Sequence, residues 1–292
     1  MVHVTPGGNN VGGVTSLGDD VFVVRDGSIE VYDAKTFTYQ RDITVPGLGE
    51  SYGFAMCPYN NCLYAADNSN ANVHRVGLKL SGSNAVLKWS VARRPQGLSV
   101  NTEHNLIVVS FREGKLQIFT TRGTLLQDIQ LQADIQHPKH AVQLPTTSQF
   151  LVSHGHVDCS LHRVCLVGAN GAVVRSYGGW QGPELTQMDW PSGLAVDREK
   201  RVLVADKDND RLLVIDQSLS SAYEMSVGVD GGLEGPDSLW YDQSRRRLYI
   251  GEWEGGRLIV VDNLKDFSAK TCKTILTPRI FLDVANDALD NY

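Results

Sequence analysis

The chain has 292 residues, long for one ordinary domain and short for two. Its 42% hydrophobic and 21% charged residues describe a globular protein and exclude disordered, collagenous and coiled-coil chains, while a net charge of −6 argues against DNA or another bulk polyanion as partner. No apolar run nears the roughly 18 residues that spanning a membrane needs, and Met1 to Gly8 carry neither the basic nor the apolar stretch of a secretory signal.

Residues 1–10 read as an N-terminal segment. From residue 11 the sequence repeats. Arg94-Pro95-Gln96-Gly97-Leu98-Ser99-Val100 returns as Trp190-Pro191-Ser192-Gly193-Leu194-Ala195-Val196, and more loosely around Gly53, His140 and Ser238, with a weak copy at Gly13. Between these anchors the steps are 40, 44, 43, 53 and 45 residues. A second apolar run follows each copy, at 21–24, 63–66, 106–109, 150–153, 202–205 and 248–251. A third run comes after it, such as Arg211-Leu212-Leu213-Val214-Ile215-Asp216, and a fourth, more variable run precedes the next copy. The runs are short, rich in Val, Ile, Leu and Tyr, and bounded by Gly, Asn and Asp, so they read as strands. Four strands per unit of this length make a propeller blade, and a blade cannot bury its faces alone. The expected fold is all-β: a six-bladed β-propeller of four-stranded antiparallel blades over residues 11–276. Residues 277–292 form a tail with helical spacing of Ile280, Phe281, Val284 and Ala288, a short helix or a frayed end.

The blade over residues 190–216 resembles the NHL repeat: Pro191-Ser192-Gly193-Leu194-Ala195-Val196-Asp197, then Val202-Leu203-Val204-Ala205-Asp206, then Asn209-Asp210-Arg211-Leu212-Leu213-Val214-Ile215-Asp216. The resemblance extends over about 265 residues, with departures in blade one, which lacks the Pro, and blade four, which has His140 in place of Gly. It implies the C-terminal propeller of tripartite-motif ubiquitin ligases, where such rings choose substrates. Some NHL propellers bind RNA, and related six-bladed lactonases and lyases hold calcium or zinc in the channel.

Aligned columns of the repeat bear on that chemistry. The residues just before the repeat Gly, at the channel mouth, are Gly12, Tyr52, Gln96, Lys139, Ser192 and Asp237. One carboxylate is too few for calcium, which takes six to eight oxygens, and no second channel histidine joins His140. No cofactor or metal is therefore expected. The residues ending the second strand include Asp67 and Asp206, expected as loop caps, and His154. Trp253 follows on a loop. The column opening the third strand holds Lys115, Arg211 and Arg257, either an anion-binding rim or, the favoured reading, partners of neighbouring acids. No nucleophile motif appears, and no catalytic residue is named.

The five cysteines include no CxxC, which excludes zinc knuckles and thioredoxin-type redox sites; with no secretory signal and no Asn-x-Ser/Thr sequon, reduced thiols in a cytoplasmic protein are expected, with a disulfide across 57–62 left open. The favoured function is a non-enzymatic scaffold that offers loops to a protein or peptide, with substrate recognition for a ubiquitin ligase as its specific form. The candidate contact residues are Tyr52, Gln96, Arg112, Lys115, Lys139, His154, His156, Trp180, Trp190, Arg211, Asp237, Trp253 and Arg257, on the face where the loops before the first strand and after the second strand of each blade meet. RNA binding on blades two to four is the first alternative, because residues 51–190 carry a net charge of +3 against −4 and −5 for the segments before and after. A metal-dependent lactonase- or lyase-like enzyme is the second. Oligomeric state is not legible.

Overall fold

Strand residues 106–109, Leu-Ile-Val-Val, show how the chain closes into a ring. Leu106 and Val108 pack against one neighbouring blade, and Ile107 and Val109 against the other. Successive strand side chains point to opposite faces, so a strand apolar on both faces needs a sheet on each side. The next blades repeat the rule: Val202 and Val204 face backwards and Leu203 and Ala205 forwards. Six apolar clusters result, one in each gap between adjacent blades, including that between the first and the last.

A computed structural model describes residues 2–5, 7–25, 27–78, 86–145, 147–262 and 275–276. After β1 (Val2–Val4), blade one comprises β2 (Gly13–Leu17), β3 (Asp20–Arg25), β4 (Ser28–Asp33) and β5 (Tyr39–Thr44). Blade two has β6 (Phe54–Cys57), β7 (Cys62–Asp67), β8 (Asn72–Gly77) and β9 (Val86–Ser90). Blade three has β10 (Pro95–Val100), β11 (Leu106–Ser110), β12 (Lys115–Phe119) and β13 (Leu125–Gln130). Blade four has β14 (Pro138–Gln143), β15 (Phe150–His154), β16 (Leu161–Val167) and β17 (Val173–Trp180). Blade five has β18 (Pro191–Val196), β19 (Val202–Asp206), β20 (Arg211–Ile215) and β21 (Ser221–Met225). Blade six has β22 (Pro236–Asp242), β23 (Arg247–Glu252) and β24 (Leu258–Val261). Within every blade consecutive strands pair antiparallel, giving the six-bladed propeller. Among the described residues there is no α-helix, and no helix long and apolar enough to cross a membrane.

The fourth strand of blade six is not the run that follows it in sequence. It is β1, from the segment read as lying outside the repeats, paired with β24 through Val2↔Val261 and Val4↔Ile259. Thr5 extends the join, its N–H donating to the Leu258 carbonyl and its hydroxyl accepting from the Leu258 N–H, both at 3.0 Å. Pairing the chain's beginning with its last blade covers an otherwise open strand edge. Ile275–Leu276 (β25) instead pairs with β21 as a fifth strand on blade five. The helical reading of 277–292 lies outside the described residues.

Glycine at the repeat anchor has a steric cause. A Cβ on Gly53 would lie 1.7 Å from the Gln96 carbonyl oxygen, and one on Gly97 2.4 Å from that of Lys139. Inner strands therefore meet backbone to backbone at the axis. His140 breaks the pattern because it bridges three blades. Its Nε2 donates to the Leu98 carbonyl and its Nδ1 accepts from the Leu194 N–H, each at 3.0 Å. Burial holds its imidazolium pKa below the ordinary range.

Cys57 and Cys62 face each other directly across the β6–β7 hairpin, both buried and both free thiols.

A candidate ligand cup at the axial mouth

In blades three to six the inner strand opens with the same device. Arg94, His137 and Trp190 at φ 52° and Gly235 at φ 59° precede Pro95, Pro138, Pro191 and Pro236. A non-glycine residue in this region is strained, on the order of 1–3 kcal/mol. The pairing register then slips between Pro95 and Leu98, Pro138 and His140, Pro191 and Leu194, and Pro236 and Ser238. Such bulges re-aim side chains. Here they turn Gln96, Lys139 and Asp237 to the channel mouth. A second recurrent hydrogen bond positions the residue after the second strand: Phe111 N–H donates to Arg94 O at 3.1 Å, Lys207 N–H to Trp190 O at 3.4 Å and Trp253 N–H to Gly235 O at 2.8 Å.

Together these loops wall a cup of about 240 Å³. Blade two gives Glu50, Tyr52 and Asn68; blade three Arg94, Gln96 and Phe111; blade four Lys139 and His156; blade five Trp190 and Lys207; blade six Asp237 and Trp253. Tyr52, Gln96, Lys139 and Asp237 also line the narrower channel of about 50 Å³ below, so they form its neck. The wall is aromatic. Phe111 stacks on His137 at 4.5 Å, His137 meets His156 at 5.0 Å, His156 meets Trp190 at 4.6 Å, and Tyr52 packs on Trp253 at 5.1 Å. Lys139 Nζ lies 4.3 Å from the centre of Trp190 and 4.6 Å from that of Phe111; Lys207 Nζ lies 4.6 Å from Trp190 and 5.6 Å from Trp253.

His162 supports the wall from behind. Fully buried, it accepts the Trp190 N–H at Nδ1 (3.0 Å), while its Nε2 donates towards the carbonyls of His156 and Cys159, both at 3.1 Å. Its repeat counterpart His74 is likewise buried and meets Asp67 at 3.3 Å.

Of the residues singled out from sequence, Tyr52, Gln96, Lys139, His156, Trp190, Asp237 and Trp253 come together here. Six do not. His154 is fully buried at the end of β15, its Nε2 accepting from the Arg163 guanidinium at 3.2 Å, and burial lowers its pKa to about 3. It has no surface to offer a partner, nor does it pair with His156. Arg211 is buried against Asp206 at 2.7 Å, and its other nitrogens donate to the carbonyls of Pro183, Glu184 and Gln187, tying down the long blade-four loop. Arg257 clasps Glu252, and Lys115 bridges Glu113 and Asp128, both at 3.3 Å. The basic column is thus spent on neighbouring acids. Trp180 ends β17, an outermost strand, 67% exposed and away from the cup, because the strand continues through Gly178 and Gly179 before the insertion begins. Arg112 is exposed beside Phe111 but does not line the cavity.

Phe111 and Lys207 join the cup without having stood out in the sequence, and Arg94 joins it from the basic stretch of blades two to four. Their signal lies in two columns next to those read: the residue before the repeat Pro, and the residue after the second strand, where Trp253 alone stands out. Asp67 and Asp206 cap loops, accepting the Asn70 N–H at 3.1 Å and the Asp189 N–H at 2.6 Å. Among the described residues no group of three or more His, Cys, Asp or Glu is placed to hold a metal ion.

No protein-family model matches the chain, and no curated protein matches it in sequence. The NHL resemblance therefore rests on the repeat motifs. Solved structures match the fold. An auxiliary nutrient binding protein from Bacteroides ovatus superposes with a TM-score of 0.68 at 15% identity, covering 89% of this chain and 72% of that one. Hydrazine synthase of Kuenenia stuttgartiensis gives 0.65 at 14%, covering 88% and 96%. A catalytically inactive virginiamycin B lyase of Staphylococcus aureus with quinupristin gives 0.62 at 8%, covering 90% and 99%. At such identities the likeness is one of fold, shared by binding proteins and enzymes.

Proposed function

We propose that the chain is a non-catalytic binding protein that receives one residue or chain end of a peptide or protein partner in the axial cup. The observation that carries this reading is the convergence of aromatic rings and two lysines from five blades on one cavity. The cup is smaller than a usual drug-sized pocket of roughly 300–1,000 Å³, which suits an inserted group rather than a whole ligand. Aromatic anchors beside cations are the composition of binding hot spots. The resemblance to tripartite-motif propellers makes selection of a ubiquitin-ligase substrate the specific form of this role. Supporting a role without catalysis, the thiol behind the cup wall, Cys159 Sγ, stands 4.0 Å from His137 Nδ1, and burial pushes that thiol up, away from its reactive anion. RNA is less well supported, because Lys115 and Arg163 in the basic blades are already paired with acids.

The test pans random peptides displayed on phage against the purified chain and remeasures the recovered peptides on variants. Trp253→Ala should weaken them by about 2 kcal/mol, the scale of a hot spot. Tyr59→Ala should not; this residue is 76% exposed and stacked on His104 at 4.1 Å, on the hairpin face. Loss with Tyr59→Ala and none with Trp253→Ala would put the site on the wrong end of the ring.

A further inference from the structure

Two lysines restrict what the cup accepts. Arg25, Arg163, Arg211, Arg247 and Arg257, with side chains 8–15% exposed, each hold a carboxylate at 2.5–2.9 Å. Lys207 is as deeply placed, at 8% exposed, and Lys139 is half-buried at the neck of the cup. Among the described residues neither makes an ion pair; both ammonium groups lie instead against Trp190. Aromatic faces attract a cation but do not neutralise it. Two like charges over one ring, partly removed from water, leave a deficit of negative charge that a ligand can fill.

The acids nearby do not fill it. Asp237 and Asp208 act on Lys139, and Asp208 also on Lys207, through space without an ion pair, and Glu50 accepts a hydrogen bond from the Tyr52 hydroxyl at 3.1 Å. Arg94 adds a third cation at the rim.

We infer that the cup is a carboxylate-binding site, taking an acidic group on a flat apolar body, with Lys139 and Lys207 as its two cationic contacts. This rests on the cup being the binding site proposed above. The rings of Trp190, Trp253 and Phe111 supply the apolar walls, and the pair of ammonium groups supplies charge-assisted hydrogen bonds. Three kinds of molecule share this chemistry: a free aromatic acid, a peptide's C-terminal residue and an internal acidic side chain.

Binding is coupled to protonation. Burial, opposed by Asp237 and reinforced by Lys207, brings the Lys139 pKa down to about 8. The groups facing it are Asp237 from blade six, Lys207 and Asp208 from blade five, and Cys159, His137 and His156 from blade four. A carboxylate favours the ammonium form, so it raises that pKa on binding, and affinity falls as pH rises through 8.

The experiment titrates the whole chain with phenylacetate and with its neutral isostere phenylacetamide, following heat and tryptophan fluorescence from pH 7 to 9.5. The acid should bind at least tenfold more tightly at pH 7, and the preference should shrink towards pH 9.5. Lys139→Met and Lys207→Met should each erase most of the preference without lowering the melting temperature, since each removes an unpaired buried charge. Should either variant fail to fold, the wild-type pH profile and the other variant carry the same test. Acetyl-Gly-Gly-Phe against its C-terminal amide, and acetyl-Gly-Asp-Gly-amide against its Asn counterpart, tell a chain terminus from a side chain. Equal affinity for acid and amide, no binding of any acid, or a preference that survives both lysine variants overturns the inference. If phage-derived peptides still depend on Trp253, the cup stands as a binding site and the carboxylate assignment alone falls.

Discussion

In blades three to six the inner strand opens with a residue at positive φ, a proline and a bulge; in blades one and two it does not. β2 pairs without a register shift from Gly13↔Val24 to Leu17↔Asp20, and β6 does so from Phe54↔Ala65 to Cys57↔Cys62. The consequence is a division of labour. All four bulged blades supply cup residues, and blade two reaches it with Glu50 and Tyr52 from the loop before β6. Among the described residues blade one supplies none. Its side of the mouth is spent on closing the ring, where Arg25, 7% exposed, binds Glu30 at 2.9 Å, the Gly256 carbonyl at 2.8 Å and the Asn9 carbonyl. Where other blades end their second strand with an acid or a neutral residue, blade one has a cation that crosses the seam. The same repeat thus serves two ends: strain where side chains must be aimed, and hydrogen bonds where the chain must be fastened.

The largest expected effect compares the two buried arginines. Arg211→Met leaves the Asp206 carboxylate, wholly buried, without its guanidinium and releases three loop carbonyls, at a cost of about 3–5 kcal/mol. Arg25→Met leaves Glu30, whose side chain is 23% exposed and can turn to water, and two carbonyls; the cost should be about 1–3 kcal/mol. Urea unfolding midpoints of both variants measure this. A larger loss from Arg25 would mean that the seam, and not the long blade-four loop, is the weaker point of the ring.

This contrast also shows what could be read from residues alone. Ring size and strand order follow from repeat spacing, because each apolar run has one geometric use. The pairing of Arg211 and Arg257 with acids was foreseeable, since Asp206 and Glu252 stand five residues away in the same hairpins. The closing strand was not legible: Val2-His3-Val4 is too short to carry a period, and β24 accepts it because its edge is open. Lys207 and Phe111 were not legible as site residues, because their aim depends on a backbone hydrogen bond to a residue 17 positions earlier. His154 misleads for the opposite reason. It ends β15 fully buried, while Gly155, at φ 144°, breaks the strand and carries its neighbour His156 to the cup.

A smaller effect separates the blades by acid. Blade four holds His137, His140, His154 and His156, all with pKa values lowered chiefly by burial, while residues 11–50 contain no histidine. For His154 the folded value is about 3 against an ordinary 6.5. Between those pH values the unfolded chain binds the proton and the folded chain does not, so stability falls as pH drops, by at most about 1.4 kcal/mol per pH unit for one group. Above pH 6.5 both states are neutral and the contribution is flat. His154→Gln keeps an acceptor for Arg163 and should make the fall between pH 6 and 4 shallower. An unchanged acid limb would show that other groups set it.

The smallest expected effect falls on two residues that sequence reading places on the contact face and that do not line the cup. Arg112 follows Phe111 and is exposed, without an ion pair among the described residues. Trp180 is 67% exposed at the end of an outermost strand. A truncated exposed side chain with no buried partner ordinarily moves stability by no more than about 0.5 kcal/mol. Arg112→Ala and Trp180→Ala should therefore unfold at the wild-type urea concentration and bind phenylacetate with wild-type affinity. The two silences would come from different causes. Arg112 is one residue from a cup wall, so its silence would show that alternation along the loop, not mere nearness, selects cup residues. Trp180 is distant, so its silence would show that an exposed aromatic ring is not by itself a contact. A loss of phenylacetate affinity in Arg112→Ala comparable to that in Lys139→Met would extend the cationic site outward over blade three, and the boundary between cup and rim would lie further out than Phe111.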